Sequence, residues 1–478
     1  MNSTKYMQKT NSTNSQQKSL SIKYNLKQDD ILYFLHIQKT AGTTIMNILD
    51  SYFDLDSIYP EQFWNKLLPK FPDDFTKFKL VRGHFGYGVH RILPKKPVYI
   101  TMLRDPIERT ISDYEHIKRD KIKAKKDVPK NETILDALNN PKTRMTYVNP
   151  QTGYIGLDLD IVKLTKSWES QRKSNFIFRT PLKVATKKAS EEELLSNAKK
   201  HLDDFAFFGI VEKFEESLFL LYYTFGWKPL SADWKLNVDP KSTKKDEISS
   251  EALDEIKKCT KLDAELYKYA KEIFELRYSS MVEDLKEKYY KSNFENISFS
   301  EMMYKMLEKN YEERTNSSPA LLETIDYDFR SKIVGTGWYW REILAKTGEA
   351  YRWTGPGTES TIDFPLVQDE DMVIQFRVIR AIIPKFLDSL RVKVNGIPID
   401  VKVLYKKSGR TVFEGTIPKS ALKVQNNFTR ISFEIEKTVN PNLVNPLDPT
   451  NRALGIAIDK IRIIPVKSFD KQGQKLKT

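Results

Sequence analysis

The segment ILYFLHIQKTAGTTIMNIL, Ile31 to Leu49, sets an apolar run against a short turn of Lys, Thr, Ala and Gly, then resumes an apolar pattern at helical spacing. Strand, small-residue turn and helix in succession place free backbone N–H groups at a helix start, where the helix dipole favours an anion. The turn reads as a phosphate cradle. Gly42 lets the backbone approach a ligand, the amides of Thr40 to Thr44 point at phosphate oxygens, and Thr43 or Thr44 adds a hydroxyl. Lys39 places an ammonium on the bridging oxygen of whatever leaves. Taken alone, the segment is also compatible with a plain strand-to-helix turn carrying a solvated lysine. The nucleoside-triphosphate loop needs Gly, four residues, Gly-Lys and then Ser or Thr; here the lysine precedes the glycine and no glycine stands upstream, which disfavours an ATP or GTP hydrolase.

The next apolar run outward, PVYITML, ends without the aspartate that would hold magnesium, and Arg104 stands there instead. It opens the motif LRDPIERTISDYEH, Leu103 to His116. Asp105 suits an N-cap, Pro106 the first helical position, and Glu108 a capping-box-like arrangement, so a helix starts directly behind Arg104. Ile107, Ile111 and Tyr114 form its buried stripe. Arg104 at the strand end and Ser112 two turns into the helix are candidates to reach a second phosphate, because open α/β sheets hold ligands at the carboxyl ends of their strands; taken singly, they suit equally a structural Arg104–Asp105 pair and a plain helical serine. Arg109, one turn from Arg104, adds to the anion field.

Together, HIQKTAGTT and LRDPIERTISDYEH resemble the 5′-phosphosulfate loop and the 3′-phosphate motif of sulfotransferases that use 3′-phosphoadenosine 5′-phosphosulfate (PAPS). The variant is similar to the carbohydrate O-sulfotransferases, the heparan sulfate 2-O and 6-O type and their bacterial relatives, in which Lys-Thr-Gly-Gly-Thr-Thr is usual; Ala41 replaces one of those glycines. The segment from Phe205 to Trp227 looks like that family's later strand and helix, and LDAELYKYAKEIF like its closing helix, so the resemblance covers about residues 30 to 285. It implies that Lys39, Thr40, Ala41, Gly42, Thr43 and Thr44 hold the 5′ side of PAPS, with Arg104 and Ser112 on the 3′-phosphate. It implies no metal. Transfer to an alcohol then needs a base for the hydroxyl proton, cationic stabilisation of the oxygens and help for the leaving phosphate, the last from Lys39.

The chain has five histidines: His36, His84, His90, His116 and His201. His36 lies in the first strand and His116 near the end of the second motif's helix, where packing or dipole contacts account for them; His201 reads as a surface residue. His84, in VRGHFGYGVH between the two motifs, looks like the histidine that related glycan sulfotransferases use as base. His90 and the carboxylates Glu115 and Asp113 are the other candidates.

Around these motifs, residues from about 30 to 230 alternate short apolar runs with helical patterns, the mark of an α/β unit with a parallel sheet. ILYFLHI and PVYITML are the clear strands and NFIFR and FAFFGIV weaker ones. The expected fold is a P-loop-like three-layer α/β domain with a helical extension over 29–315, after a disordered tail at 1–28. SFSEMMYKMLEKNYEE adds a helix with a serine N-cap and a Met-rich core stripe. After about Asp326, β-branched runs of period two with an Asn395-Gly396 hairpin turn indicate an antiparallel β-sandwich over 326–468, then a basic tail at 469–478. Within it Trp338, Tyr339, Trp340, Tyr351 and Trp353, with Arg341 and Arg352, suit either a sugar-binding face or a packed core.

At 478 residues the chain holds two or three domains, and a net charge of +14 favours anionic ligands without choosing among them. The basic run IKRDKIKAKKDVPK lacks interleaved aromatics, so nucleic acid is not an expected partner. Cys259 is the one cysteine, which excludes an intrachain disulfide, suits a reducing compartment and reads as a small helical filler. No apolar run approaches membrane-spanning length and the amino-terminal tail has no signal-like core, so the expected location is cytoplasmic. The acceptor would be a carbohydrate or a hydroxylated small molecule. Rival readings are an ATP-dependent kinase or other phosphate-binding α/β protein, and a noncatalytic glycan-binding protein.

Overall fold

A computed structural model describes residues 23–67, 74–123, 132–160, 163, 189–230, 248–290, 297–315, 321–367, 369–422, 428–445 and 452–468. The chain divides into two compact units, the first made of Met1–Met46, Ser57–Trp227 and Leu236–Asn310, the second of Asn47–Asp56, Lys228–Lys235 and Tyr311–Thr478. The expected strand NFIFR, most of the amino-terminal tail and the carboxyl-terminal tail lie outside the described residues.

The first unit is built on a four-stranded sheet of order β2-β1-β3-β4, with β1 Leu32–Leu35, β2 Leu80–Gly83, β3 Val98–Leu103 and β4 Phe207–Ile210. All three pairings are parallel, with Leu32 opposite Leu80 on one side and Val98 on the other, and Ile100 opposite Phe207. Every residue of β1 and β4 is buried, as consecutive apolar positions require when helices cover both faces of a sheet. Parallel pairing forces crossover helices between strands, so the helices α1, Gly42–Ser51, and α2, Pro106–Lys123, each start where a central strand ends. The α/β expectation is met. The edge strand β2 was not legible: LVRG is four residues long and half of it is Arg and Gly.

Three further helices frame the same end of the sheet. Helix α3, Pro150–Gly156, lies between α2 and β4 in the chain; α4, Phe214–Phe225, follows β4; α5, Lys261–Tyr289, runs 29 residues. Cys259 is buried with Ile111, Leu138 and Ile256, a filler as its helical setting suggests. Ser298 caps the Met-rich helix through the amide of Glu301, and Met302, Met303 and Met306 are core residues.

The second unit has two antiparallel sheets. One has the order β11-β10-β14-β8; the other has β12-β13-β9-β15-β7-β6, with β5 also pairing β15. The strands are β5 Ile325–Asp328, β6 Glu342–Ile343, β7 Ala350–Trp353, β8 Glu359–Phe364, β9 Met372–Ala381, β10 Arg391–Val394, β11 Ile397–Ile399, β12 Val401–Lys407, β13 Arg410–Ile417, β14 Thr429–Glu434 and β15 Ile456–Pro465. One core joins inward residues of both sheets, among them Ile362, Ile374, Phe376, Val392, Phe433 and Ile461, which makes it a sandwich. Asn395 and Gly396 both have positive φ, the backbone of the expected two-residue hairpin, and Ser408-Gly409 makes a second such turn.

The aromatic motif of this unit divides. Trp338 is in the main core, its indole N–H donating to Thr361 O at 2.7 Å, while Tyr351 and Trp353 pack with Ile379, Leu454 and Ala457 in a second cluster. Arg341 and Arg352 are held by oxygens of the protein itself. Arg341 donates to the carbonyls of Phe329, Phe53 and Ser331, and Arg352 to Ser51 Oγ and Tyr339 O. Both satisfy buried main-chain or hydroxyl oxygens, while Arg341 Nη1 and Arg352 Nε are buried without a hydrogen-bond partner.

Candidate active site

The cradle is an alternation of backbone hands. Lys39 has φ 67° and Ala41 φ 58°, with Thr40 between them, so successive N–H groups converge on one concave face ahead of α1. The first amides of a helix have no partner inside it, which leaves Gly42 and Thr43 as donors at the open end. One expected donor, the Thr44 amide, is committed elsewhere, and so is the Thr40 hydroxyl. Thr40 is fully buried and its hydroxyl donates to Ile37 O at 2.9 Å, and the amide of Thr44 donates to Ala41 O at 3.1 Å. Thr43 is exposed, so of the two threonines offered for a ligand hydroxyl it is the one at the surface. Ala41 sits at a left-handed position, where a Cβ costs about 1–2 kcal/mol and the usual glycine costs nothing.

Gly42 serves a purpose that differs from the one expected of it. A Cβ there would lie 1.7 Å from His36 Nε2, so the glycine is required by the imidazole behind the turn. His36 follows β1, is 7% exposed, and stacks between Phe34, with ring centroids 5.4 Å apart, and His84, at 4.2 Å. Burial pushes its imidazole well below the usual histidine range, with His84 and Lys39 adding to the effect, so the ring is neutral; its Nδ1 has no hydrogen-bond partner.

His84 stands just past the end of β2, half-buried between His36 and Phe63. Its Nδ1 lies 2.7 Å from His36 O, and a carbonyl only accepts, so Nδ1 carries the proton. That tautomer leaves the Nε2 lone pair free to accept a proton. Burial is the main reason that the ring's pKa falls to about 4; the carbonyl bond and Asp113 oppose it. His90 lies elsewhere, its Nδ1 on Tyr87 O at 3.0 Å and near Tyr99 Oη. Asp113 is 1% exposed and paired with Arg109 at 3.7 Å, and Glu115 faces Arg119 at 4.0 Å.

Lys39 is desolvated enough to lower its ammonium pKa, with Asp113 pulling the other way. Arg104 joins the two motifs: Nη1 donates to Lys39 O at 3.3 Å, and Nη2 is 3.7 Å from Glu108. The helix behind it is capped by Asp105, whose Oδ1 accepts the amides of Ile107 and Glu108. Glu108 does not close the capping box, because the Asp105 amide donates to Glu212 instead. Ser112 is half-buried two turns along. Arg109 is 1% exposed and donates to Gln38 O at 3.3 Å, so it braces the turn from behind; its Nε and Nη2 have no partner.

Three positioning residues were not visible in the sequence. Gln151 Nε2 donates to Arg104 O at 2.8 Å, and Gln151 Oε1 accepts the Arg104 amide at 3.0 Å, fixing that backbone on both sides. Asp263, buried on α5, accepts the amides of Gln151 and Thr152 at the start of α3. Asn149 Oδ1 in turn accepts the amide of Leu262. These polar residues have partners 47 to 113 positions away in the chain, and no local pattern signals such a pairing.

A nest of amides at a helix start, a desolvated lysine, an arginine just past the end of the neighbouring strand and a neutral imidazole with a free Nε2 fit a phosphosulfate donor. Among the described residues no group of three or more His, Cys, Asp or Glu is placed to hold a metal ion.

The family model described as "Sulfotransferase family" matches residues 23–270. Human heparan-sulfate 6-O-sulfotransferase 3 is 27% identical over 289 residues, covering 54% of this chain and 60% of that protein. Human heparan-sulfate 6-O-sulfotransferase 2 is 27% identical over 294 residues, covering 54% of this chain and 47% of that protein. The chain therefore spans about half to three-fifths of the length of these relatives. Among solved structures, a family 35 carbohydrate binding module from Clostridium thermocellum is matched over 30% of this chain and all of that module, at 11% identity and a TM-score of 0.19.

Proposed function

The chain belongs to the sulfotransferase family, and on that premise we propose that it moves the sulfuryl group of PAPS to a hydroxyl of a carbohydrate. The acceptor oxygen attacks sulfur, the bond from sulfur to the bridging 5′-phosphate oxygen breaks, and the hydroxyl proton passes to His84 Nε2. The products are the sulfate ester and adenosine 3′,5′-bisphosphate. Lys39 and the amides of Gly42 and Thr43 meet the charge that grows on the departing phosphate, where preorganised donors act most strongly. Arg104 and Ser112 hold the remote 3′-phosphate and orient the donor.

The observation that carries this reading is the position of His84, hydrogen-bonded through Nδ1 to the residue that also backs the cradle. One imidazole thus presents a free lone pair beside the amide nest. The heparan-sulfate relatives support a polymer of amino sugar and uronic acid as the acceptor class.

The test is transfer of radiolabelled sulfate from PAPS to desulfated heparan chains, with His84→Ala alongside. We expect labelled product from the parent chain, and from the variant a turnover lower by at least 100-fold with bisphosphate affinity within about twofold, in line with the usual contribution of a general base. Full turnover by His84→Ala would reject the base; absence of labelled product from the parent chain would reject the reaction.

A further inference from the structure

We infer that the second unit carries its own binding cleft for an acidic sugar unit, one with a carboxylate or sulfate group, separate from the transferase site. The choice of ligand class rests on the carbohydrate acceptor proposed above; the cleft itself does not. It has a volume of about 760 Å³, within the range that holds small ligands. Tyr351 and Trp353 of β7 and Leu454 lie beneath it, Ile382, Leu387 and Val444 form apolar walls, and Glu342, Arg380 and Arg452 supply the polar groups.

Arg452 is held as a ready donor. Its guanidinium lies over the rings of Tyr339 and Trp340, at 5.1 and 4.9 Å, and its Nη2 donates to Glu342 Oε1 at 2.8 Å. Glu342 is itself fixed, since Oε2 accepts the Tyr351 hydroxyl at 2.7 Å. The remaining nitrogen, Nη1, is buried without an acceptor. A guanidinium locked by two rings and one carboxylate has spent its ordering entropy before a ligand arrives, and its fork geometry matches a planar anion. Arg380, exposed on the same cleft, adds a second positive charge.

The lining combines apolar walls with a few convergent polar groups, which is what a pyranose needs: C–H faces against hydrocarbon, and an acidic substituent on arginine. Two arginines are too few to track a nucleic-acid backbone, and covering the half-buried Glu342–Arg452 pair with a lipid chain would be costly.

The experiment is calorimetric titration of the full chain with a sulfated hexasaccharide of alternating uronic acid and glucosamine, in saturating adenosine 3′,5′-bisphosphate. The comparison proteins are Arg380→Gln/Arg452→Gln and Val444→Trp, the latter filling the cleft from a rim residue that is 55% exposed and carries little of the fold. Each should bind the hexasaccharide at least 10-fold more weakly while bisphosphate affinity is unchanged. Unaltered hexasaccharide affinity in both variants, equal affinity for an uncharged glucose hexamer, or loss of all hexasaccharide binding on Lys39→Ala would overturn the cleft assignment. Failure of the bisphosphate to bind, with the hexasaccharide still lost in the variants, would overturn the transferase reading and leave the cleft standing.

Discussion

His36 occupies the space that a side chain at position 42 would need, and this contact joins the amide nest to the imidazole of His84. Gly42→Ala should therefore force the ring away or unwind the turn. Overpacking of this kind costs about 1–3 kcal/mol, and bisphosphate affinity should fall at least 10-fold by calorimetry. His36→Ala in the same chain removes the clash and should restore most of the melting temperature; a double variant no more stable than Gly42→Ala would show that the contact is not what constrains the glycine. The pH profile belongs at this scale too. Burial holds His84 at about 4, against about 6.5 for an unperturbed histidine. Protonation removes the base, so kcat/KM for PAPS falls as pH drops through the folded value. The profile should be flat from neutrality down to about pH 5; half-loss near 6.5 would contradict a desolvated base. Lys39, Gly42, Arg104 and His84 stand out in the sequence as candidates because strand ends, helix starts and glycine-rich loops leave local marks. His36 was not, because its role depends on two contacts outside its own segment.

The elements most easily read were those whose environment is uniform along their length. The strands β1, β3 and β4 are buried almost throughout, so their sequences are unbroken apolar runs. The strand β2 mixes Arg82 and Gly83 into four residues and gives no such signal. Helix α3, which no sequence pattern links to the second motif, fixes Arg104 through Gln151. Gln151→Ala deletes two hydrogen bonds to the backbone of one residue, Arg104, each worth about 1 kcal/mol net, and leaves its N–H and C=O to find other partners. The expected result is bisphosphate affinity weaker by about 5- to 30-fold with turnover at saturating donor nearly unchanged, measured as KM against kcat. A fall in kcat alone would place Gln151 in a different role.

At the scale of the whole molecule, the change from mixed to period-two patterning near Asp326 marks the sandwich correctly, because strands and helices repeat differently. What composition does not disclose is that Asn47–Asp56 belongs to the second unit. There Ser51 and Phe53 accept from Arg352 and Arg341, Asp54 accepts the amide of Lys332, and Leu55 donates to Arg330 O. A fragment starting at Tyr311 loses these partners and leaves a buried guanidinium short of acceptors, a loss that costs about 1–3 kcal/mol or more. Its urea midpoint should lie below that of the same transition in the full chain, and equal midpoints would contradict the assignment of the early loop to this unit.

Calorimetric titration of the full chain with adenosine 3′,5′-bisphosphate at low salt, with Lys39→Ala in parallel, tests the grip of the cradle on the donor most directly. The parent chain should show saturable binding at one site per chain, weakened at least 10-fold in the variant. No heat of association with the parent chain, or equal affinity in the two proteins, would contradict the account.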